Sequence, residues 1–381
     1  MFKSTIVTLI LLISVNFLSA QDSIFHRKPF DFEASYTGEN FNNLTGGIKR
    51  GSSYLGMVNV SFGFDTEKAR FWKGGNFFVS AANTHGATPS GDLTGDFQVA
   101  SNIEAGNYTF LQELWYKHSF GAFEITAGLQ DMNVDFVTSE YGNYFNNSSF
   151  GIIPTISVNI PAPIFPLTTL GASVKWKISD RLTWLGAVFD GCPTDFEDQN
   201  PYNLRWKFDS ADGVLAVTEV QLTSPEDKLP YTHKLGFFLH NSHLVVDENG
   251  ADSVYQNNHG FYYIADQTIW QSDSSNRKIG AFLQLGLTPK AFNFNNHYVG
   301  VGVNYFGLFK KNGEDALGLA VAYARIESYA GNETTIELTY HFPITPRIYI
   351  QPDFQYIINP GGFEHHLDNS LAFALRFGLS F

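Results

Sequence analysis

The sequence has a single cysteine, Cys192, among 381 residues, so no intrachain disulfide can stabilise it. After the first twenty residues it also lacks any stretch of about 18 apolar residues free of charge and proline, which argues against transmembrane helices. Basic residues are scarce, and the net charge is -13. Because a nucleic-acid-binding surface needs clustered Lys and Arg, nucleic acid is not an expected partner.

The first twenty residues have the features of a secretory signal peptide. Lys3 supplies the positive charge, residues 6–18 are almost entirely apolar, and the small residues Ser19 and Ala20 precede Gln21. This apolar run is too short to cross a bilayer as a helix. We therefore expect a signal peptide over residues 1–20 and a single domain over residues 21–381.

Aromatic residues and glycine are abundant in this chain. Phe, Trp and Tyr make up 16% of the residues, with 36 Phe and 18 Tyr, and there are 34 glycines. The mean hydropathy is nevertheless only -0.12. This composition fits strands with one aromatic, apolar face and one polar face, as in a transmembrane barrel. From composition alone, a secreted β-sandwich or lectin fits equally well.

The last segment of the chain alternates strictly between apolar and polar or small residues. One face carries large apolar side chains: Leu371, Phe373, Leu375, Phe377, Leu379 and Phe381. The other face carries small or polar ones: Ala372, Ala374, Arg376, Gly378 and Ser380. A strand that ends in Phe with a fully apolar face resembles the C-terminal signal of outer-membrane barrels. This favours a barrel, inserted by the outer-membrane assembly machinery through the strand ending in Phe381.

Similar alternation over about ten residues, the length of a tilted transmembrane strand, recurs along the chain. The clearest further segments are residues 123–130, 170–178, 336–342 and 348–356. Weaker candidates are residues 30–38, 53–64, 76–85, 108–118, 182–190, 214–222, 231–240, 261–270, 279–288, 298–308 and 317–327. Together they predict an all-β fold, a transmembrane antiparallel β-barrel of about sixteen strands that encloses an aqueous lumen.

The connections between these segments alternate in length, as they do in barrels with both termini in the periplasm. We expect short periplasmic turns at residues 119–121, 179–180 and 343–346, and long outer loops near residues 86–107, 131–169, 191–213 and 241–260. The third outer loop, residues 131–169, is the longest, and long loops without secondary structure are usually functional. We expect it to fold into the lumen; the alternative is an exposed surface loop.

Several segments, in order and at suitable spacing, resemble the carbohydrate-selective porins of the OprB family. They are YTGENFNNLTGG (36–47), LQELWYKHSFGAFEITAGLQDMNVDF (111–136), YFNNSSFGIIPTISVNIPAP (144–163), ADQTIW (265–270), IQPDFQYIINPGG (350–362) and LRFGLSF (375–381). The resemblance implies a sixteen-stranded barrel in a Gram-negative outer membrane that admits glucose and related sugars. The chain departs from the family at residues 309–316, FKKNGEDA, and in having nine arginines against fifteen lysines.

Sugar recognition needs polar groups for the hydroxyls and an aromatic plate for the ring face, with weak affinity so that the pore conducts. Strand parity selects inward-facing candidates. The predicted pore-lining residues are Glu113, Trp115, Asp131, Asn133, Asn146, Lys175, Gln351, Asp353, Gln355 and Arg376. A charge on the lipid face costs about 2–4 kcal/mol, which favours a lumenal position for Arg376. Two alternatives stay open: Trp115 in an aromatic girdle, and residues 351–355 as a solvated wall without affinity.

The sequence predicts no catalytic residue, metal site or cofactor. No Gly-X-Ser-X-Gly motif of a hydrolase occurs. His365 and His366 adjoin Glu364, but neighbouring residues on a strand point apart and do not form a metal site. The predicted function is an outer-membrane porin for small neutral sugars, in contact with outer-membrane lipid. The alternatives are a porin without sugar selectivity and, less favoured, an outer-membrane hydrolase.

Overall fold

The computed structural model describes residues 28–196, 200–207, 212–224, 229–248, 251–291, 293–310, 312–327, 331–362 and 367–381. The predicted signal peptide lies outside these residues, and so does the histidine pair at 365–366. No helix in the described ranges is long and apolar enough to cross a membrane.

Sixteen antiparallel strands form one closed barrel, in which each strand pairs with its neighbours in sequence. The strands are β1 (Phe30–Gly47), β2 (Gly51–Asp65), β3 (Gly75–Gly86), β4 (Tyr108–Phe120), β5 (Phe123–Gln130), β6 (Thr169–Lys177), β7 (Leu182–Asp190), β8 (Val214–Ser224), β9 (Tyr231–Glu248), β10 (Ala251–Gln271), β11 (Lys278–Leu287), β12 (Asn295–Phe306), β13 (Ala316–Ile326), β14 (Gly331–Thr345), β15 (Ile348–Ile358) and β16 (Asp368–Ser380). The ring closes between β1 and β16, where Glu39 lies opposite Arg376. The predicted fold class and strand number are confirmed.

The two faces of each strand differ as the alternation predicts. On β16, Leu375 is 43% exposed, whereas Ala374 and Arg376 on either side are buried. The exposed face is the apolar, lipid-facing surface of the barrel, and the buried face is its inner surface. Aromatic rings line the lipid-facing surface near the short turns; Phe123, for example, stacks on Trp176 with ring centroids 5.4 Å apart.

The connections fall into short turns at one end of the barrel and, with exceptions, long loops at the other. The turns after β4, β6 and β14 are short, whereas residues 87–107, 131–168 and 191–213 form the second, third and fourth outer loops. The long loop predicted near residues 241–260 is wrong, because β9 and β10 extend to Glu248 and Ala251 and leave only residues 249–250 between them. This hairpin is longer than a bilayer requires, so its outer part needs no apolar face.

The third outer loop includes one short helix, α1 (Pro154–Ser157), and several single turns. Its apolar side chains Phe145, Phe150 and Ile153 are at most 1% exposed and belong to a core shared with the inner faces of β7 to β13. Small residues on those strands leave space for the loop. A Cβ atom added at Gly280 would lie 2.4 Å from Cζ of Tyr141, and one added at Gly318 would lie 2.7 Å from Cζ of Phe145.

Candidate functional site

Carboxylates on the inner surface hold the third outer loop by its backbone. Glu337 of β14 accepts hydrogen bonds from the amides of Asn146 at 2.5 Å and Asn147 at 3.0 Å. Glu219 of β8 accepts one from the amide of Val137 at 3.0 Å. Asp266 of β10 accepts hydrogen bonds from the Tyr141 amide at 3.0 Å and the Ser139 hydroxyl at 2.7 Å. Because three separate strands contribute, the loop has a defined position relative to the wall.

The second outer loop is attached to the inner surface in the same way. Glu333 of β14 accepts hydrogen bonds from the amides of Phe97 at 2.7 Å and Gln98 at 2.9 Å. The loop also joins the third loop directly, since the amide of Asn102 donates to the carbonyl of Asn146 at 2.8 Å. Glu337 and Glu333 each accept from two consecutive backbone amides, so both loops are attached to β14 at more than one point.

A polar cavity, which we term the turn-side cavity, has a volume of about 1130 Å³. Residues close to the short turns line one end of it, for example Thr232, Lys278 and Tyr349, and the third loop lines the other. The charged residues in its lining are Glu140, Lys234, Asp266, Lys278 and Arg376. The remaining polar lining includes the side chains of Asn133, Asn143, Asn146, Gln221, His341 and Gln351.

Each cation of the turn-side cavity interacts with a carboxylate, two of them in ion pairs. Arg376 Nε lies 2.7 Å from Oε2 of Glu39, a buried residue behind the lining. Lys278 Nζ lies 3.8 Å from Oε1 of Glu140. Lys234 interacts electrostatically with Asp266 and donates to the carbonyl of Thr138 at 2.8 Å. The lining itself carries three cations and two carboxylates, and Glu39, directly behind Arg376, supplies a third carboxylate.

Arg376 is held in a rigid orientation by its neighbours. Besides the contact to Glu39, its Nη1 donates to Oδ1 of Asn102 at 2.8 Å and its Nη2 to the hydroxyl of Ser101 at 3.3 Å. Two acceptors of the second outer loop therefore hold the planar guanidinium, and the directions of its N–H donors are fixed. The exposed fraction of Arg376 is only 6%, so a small edge of the group faces the cavity.

A second cavity, the loop-side cavity, has a volume of about 410 Å³ and is lined only by residues of the second and third outer loops. Its one charged lining residue is Glu104. Burial raises the pKa of the Glu104 carboxyl to about 7, although the amide of Ser90, which donates to it at 3.1 Å, opposes this shift. Asn133 and Asn143 line both cavities, so these two amides lie at the boundary between them.

Asn146 is a buried amide without a hydrogen-bond partner for its side chain. Neither Oδ1 nor Nδ2 has one among the described residues, although the residue is fully buried and lines the turn-side cavity. A buried polar group without a hydrogen-bond partner costs free energy, so a water molecule or a ligand usually supplies the partner.

The predicted site residues occupy five different places. Asn133, Asn146, Gln351 and Arg376 meet at the turn-side cavity. Gln355 and Asp353 lie on the same strand as Gln351, further from the short turns. Gln355 Nε2 donates to Oδ1 of Asp353 at 3.0 Å and to the carbonyl of Ala100 at 2.7 Å.

Asp131 lies at the start of the third loop. Its carboxylate accepts hydrogen bonds from the Asn133 amide at 2.8 Å and the Phe165 amide at 3.1 Å. Burial raises its pKa to about 6, while these donors and the Gln112 amide group counteract the shift.

Glu113, Trp115 and Lys175 lie outside the linings of both cavities. Trp115 Nε1 donates to Oε1 of Glu113 at 3.1 Å, and its ring stacks on Phe78 with centroids 4.9 Å apart. It therefore shares a face with buried Glu113, and not with lipid-facing Leu114. Lys175 borders a separate small space beside Glu124 and Asp135.

Sequence reasoning missed most charged residues of the turn-side cavity, namely Lys234, Asp266, Lys278, Glu140 and the supporting Glu39. The strand parity used for Arg376 also identifies Lys234, because it lies between Leu235 and His233 in a predicted strand. Asn143 carried no signal of its own, since the loop contains many amides. Among the described residues, no three His, Cys, Asp or Glu side chains are arranged to hold a metal ion.

A family model described as "Carbohydrate-selective porin, OprB family" matches residues 49–381, most of the chain. The chain belongs to the OprB family of carbohydrate-selective porins. The function predicted from the sequence is confirmed at this level: the protein is a sugar porin of a Gram-negative outer membrane and not an enzyme.

Individual relatives agree with this family membership. Porin B of Pseudomonas aeruginosa is 22% identical over 411 residues, covering 92% of this chain and 87% of its own. A putative porin, QuiX, of Acinetobacter baylyi is 21% identical over 93% of this chain and 90% of its own. The high-pH structure of Pseudomonas putida OprB, 22% identical, matches the barrel with a TM-score of 0.84, covering 93% of this porin and 94% of that chain.

Proposed function

We propose that this porin admits small neutral sugars of the glucose type, and that a cavity with balanced charge provides the selectivity. The observations that carry the proposal are the ion pairs of Arg376 with Glu39 and of Lys278 with Glu140, together with the electrostatic interaction between Lys234 and Asp266. A neutral solute can form hydrogen bonds with such paired groups, and the pairs exert little net electrostatic force on it. An ion gains no net attraction to replace the hydration that it loses in a narrow lumen.

The third outer loop narrows the lumen in this proposal. Its contacts with wall residues Glu219, Asp266 and Glu337 support an inward position. Asn133 and Asn143, which border both cavities, then mark the narrowest passage. Amide side chains donate and accept hydrogen bonds without carrying charge, which suits the hydroxyl groups of a sugar.

The predicted residues divide into two roles under this proposal. Asn146, Gln351 and Arg376 contact sugar hydroxyls in the turn-side cavity, where the unpartnered amide of Asn146 provides both a donor and an acceptor. Asp131, Asp353 and Gln355 position the loops. Sugar contacts by Glu113, Trp115 and Lys175 stay a prediction for a different part of the wall.

Two further parts of the proposal concern the export of the protein and its insertion into the outer membrane. Residues 1–20 are a secretory signal peptide, and residues 21–381 form the mature barrel domain. The outer-membrane assembly machinery recognises the C-terminal strand that ends in Phe381. The lipid-facing aromatic surface contacts membrane lipid. Removal of Phe381 should therefore reduce the amount of barrel inserted in cells.

Liposome swelling tests the central proposal. The reconstituted porin should swell liposomes faster in glucose than in gluconate, a solute of similar size with one negative charge. Equal rates would show a porin that selects by size alone, and the selectivity claim would be lost.

A charge variant sharpens this test. Lys278→Gln leaves Glu140 without its cation, so we expect the pore to become cation-selective in reversal-potential measurements in a KCl gradient. Lys290→Gln removes an equal charge from an exposed outer position and should leave the reversal potential unchanged. An unchanged value in Lys278→Gln contradicts the role of paired charge.

A further inference from the structure

The connection between β2 and β3, residues 66–74, has an unusual surface for a turn at the periplasmic end of a barrel. Four consecutive residues, Arg70, Phe71, Trp72 and Lys73, are exposed. Phe71 is 69% exposed and Trp72 is 46% exposed. Two large aromatic rings between two cations are unfavourable in free water, and typical of a membrane–water interface.

The conformation of this turn is fixed by its own hydrogen bonds. The hydroxyl of Thr66 donates to the carbonyl of Trp72 at 2.8 Å, and the amide of Phe71 donates to the carbonyl of Thr66 at 2.9 Å. Asp65 Oδ1 accepts from the amides of Glu67 and Lys68, each at 3.0 Å. The two rings and the two cations are therefore presented together on an ordered surface.

The aromatic rings of the turn continue the lipid-facing surface of the barrel. Phe71 contacts Phe64 with ring centroids 6.0 Å apart, and Trp72 contacts Phe77 at 6.3 Å. The indole of Trp72 donates to the hydroxyl of Tyr116 at 2.9 Å, which satisfies its polar edge. The turn thus folds towards the membrane edge of the barrel, on the side away from the lumen.

The charges of the turn favour an anionic partner. Lys68 forms an ion pair with Asp65 at 3.4 Å, and Glu67 lies near the amide of Gly74 at 3.4 Å. For Arg70 and Lys73, no ion pair is present among the described residues, and both side chains are exposed. Two available cations therefore flank the exposed rings.

We propose that residues 70–73 bind an anionic phospholipid of the periplasmic leaflet. Arg70 and Lys73 contact its phosphate, and the rings of Phe71 and Trp72 lie beside its glycerol and upper acyl region. Continuity with the lipid-facing surface and the two available cations both identify a lipid as the partner.

Lipid binding can be measured on the detergent-purified mature barrel by native mass spectrometry and by thermal unfolding. We expect phosphatidylglycerol to bind and to raise the unfolding temperature more than phosphatidylcholine with the same acyl chains. Arg70→Gln combined with Lys73→Gln should weaken phosphatidylglycerol binding roughly tenfold, since each cation near an anionic lipid contributes attraction. Inorganic phosphate alone should give no comparable shift, because the rings then have no acyl chain to contact.

The matched control removes two exposed cations from the opposite end of the barrel, Lys49→Gln with Arg50→Gln, and should keep the phosphatidylglycerol effect. Trp72→Phe should reduce quenching of tryptophan fluorescence by phosphatidylglycerol brominated near the headgroup. Equal binding by the wild type and the Arg70/Lys73 variant, or equal effects of the two phospholipids, would overturn the proposal. An effect of free phosphate equal to that of the lipid would overturn it too.

Discussion

Within the section of the inner surface formed by β11 to β16, an apolar half and a polar half hold the third outer loop by different means. On β11 to β13 the inner positions are mostly small, such as Gly280, Gly318 and Ala320, and the loop packs on them through aromatic rings. On β14 and β15 the inner positions are polar, such as Glu337, Gln351 and Gln355, and the loop binds there through its backbone and amides.

The difference between the halves shows how the third outer loop can be held in place while polar groups of the wall still face a cavity. The apolar half contributes the larger stabilisation. The free energy gained is roughly proportional to the apolar area that is buried, and aromatic rings have a large area. The polar half fixes the orientation of the loop, because hydrogen bonds weaken steeply outside a narrow range of angles. Polar groups left facing the cavity are then available for the solute.

The largest effect is expected in the apolar half, from Phe150→Ala. Phe150 is fully buried, and its ring centroid lies 5.1 Å from that of Phe145 and 5.7 Å from that of Phe282. Its removal should destabilise the loop packing by about 3–5 kcal/mol. We expect larger single-channel conductance and passage of larger oligosaccharides. Phe261→Ala, on the lipid-facing surface, is the control; an equal conductance in both variants would refute the packing role.

A smaller effect is expected in the polar half, from Glu337→Gln. The carboxylate accepts from two consecutive amides, whereas a glutamine has only one acceptor oxygen. One buried amide of the loop is left unpaired, at a cost of about 1–3 kcal/mol. The barrel should stay folded, with noisier single-channel currents. Glu33→Gln, for which no loop contact is described, should behave as wild type, and quiet currents in Glu337→Gln would contradict the prediction.

The smallest effect concerns pH and the loop-side cavity. The pKa of Glu104 is raised to about 7, so its carboxyl is neutral below that pH and charged above it. Since no other charged residue lines this cavity, K⁺ permeability relative to Cl⁻ should rise as the pH increases through 7. Glu104→Gln should abolish this rise. A similar pH dependence in the variant would assign it to another group.

The barrel was predictable because lipid imposes the same demand on every strand. Each outward position must be apolar, so the alternation from Leu371 to Phe381 is visible in the sequence without knowledge of its neighbours. The outer parts of β9 and β10 lacked this signal. They extend further than a bilayer requires, and their sequence is rich in Asn, Asp, Gly and Ser.

The site was only partly predictable, since its charge balance depends on pairs that are distant in sequence. Parity correctly directed Gln351 and Arg376 to the inner surface, where both border the turn-side cavity. The partner of Arg376 is Glu39, which lies on β1 and becomes its neighbour only when the ring closes. The pair Lys278–Glu140 likewise joins a strand to a loop.

Ring closure between β1 and β16 also has a consequence for biogenesis. The strand that completes the ring, β16, follows the other fifteen in chain order, and it pairs with β1 from Ser35–Ser380 to Gly47–Asp368. A nascent or truncated copy would present two unpaired edges, which are sites of aggregation. The ring can therefore close only after all sixteen strands have been made.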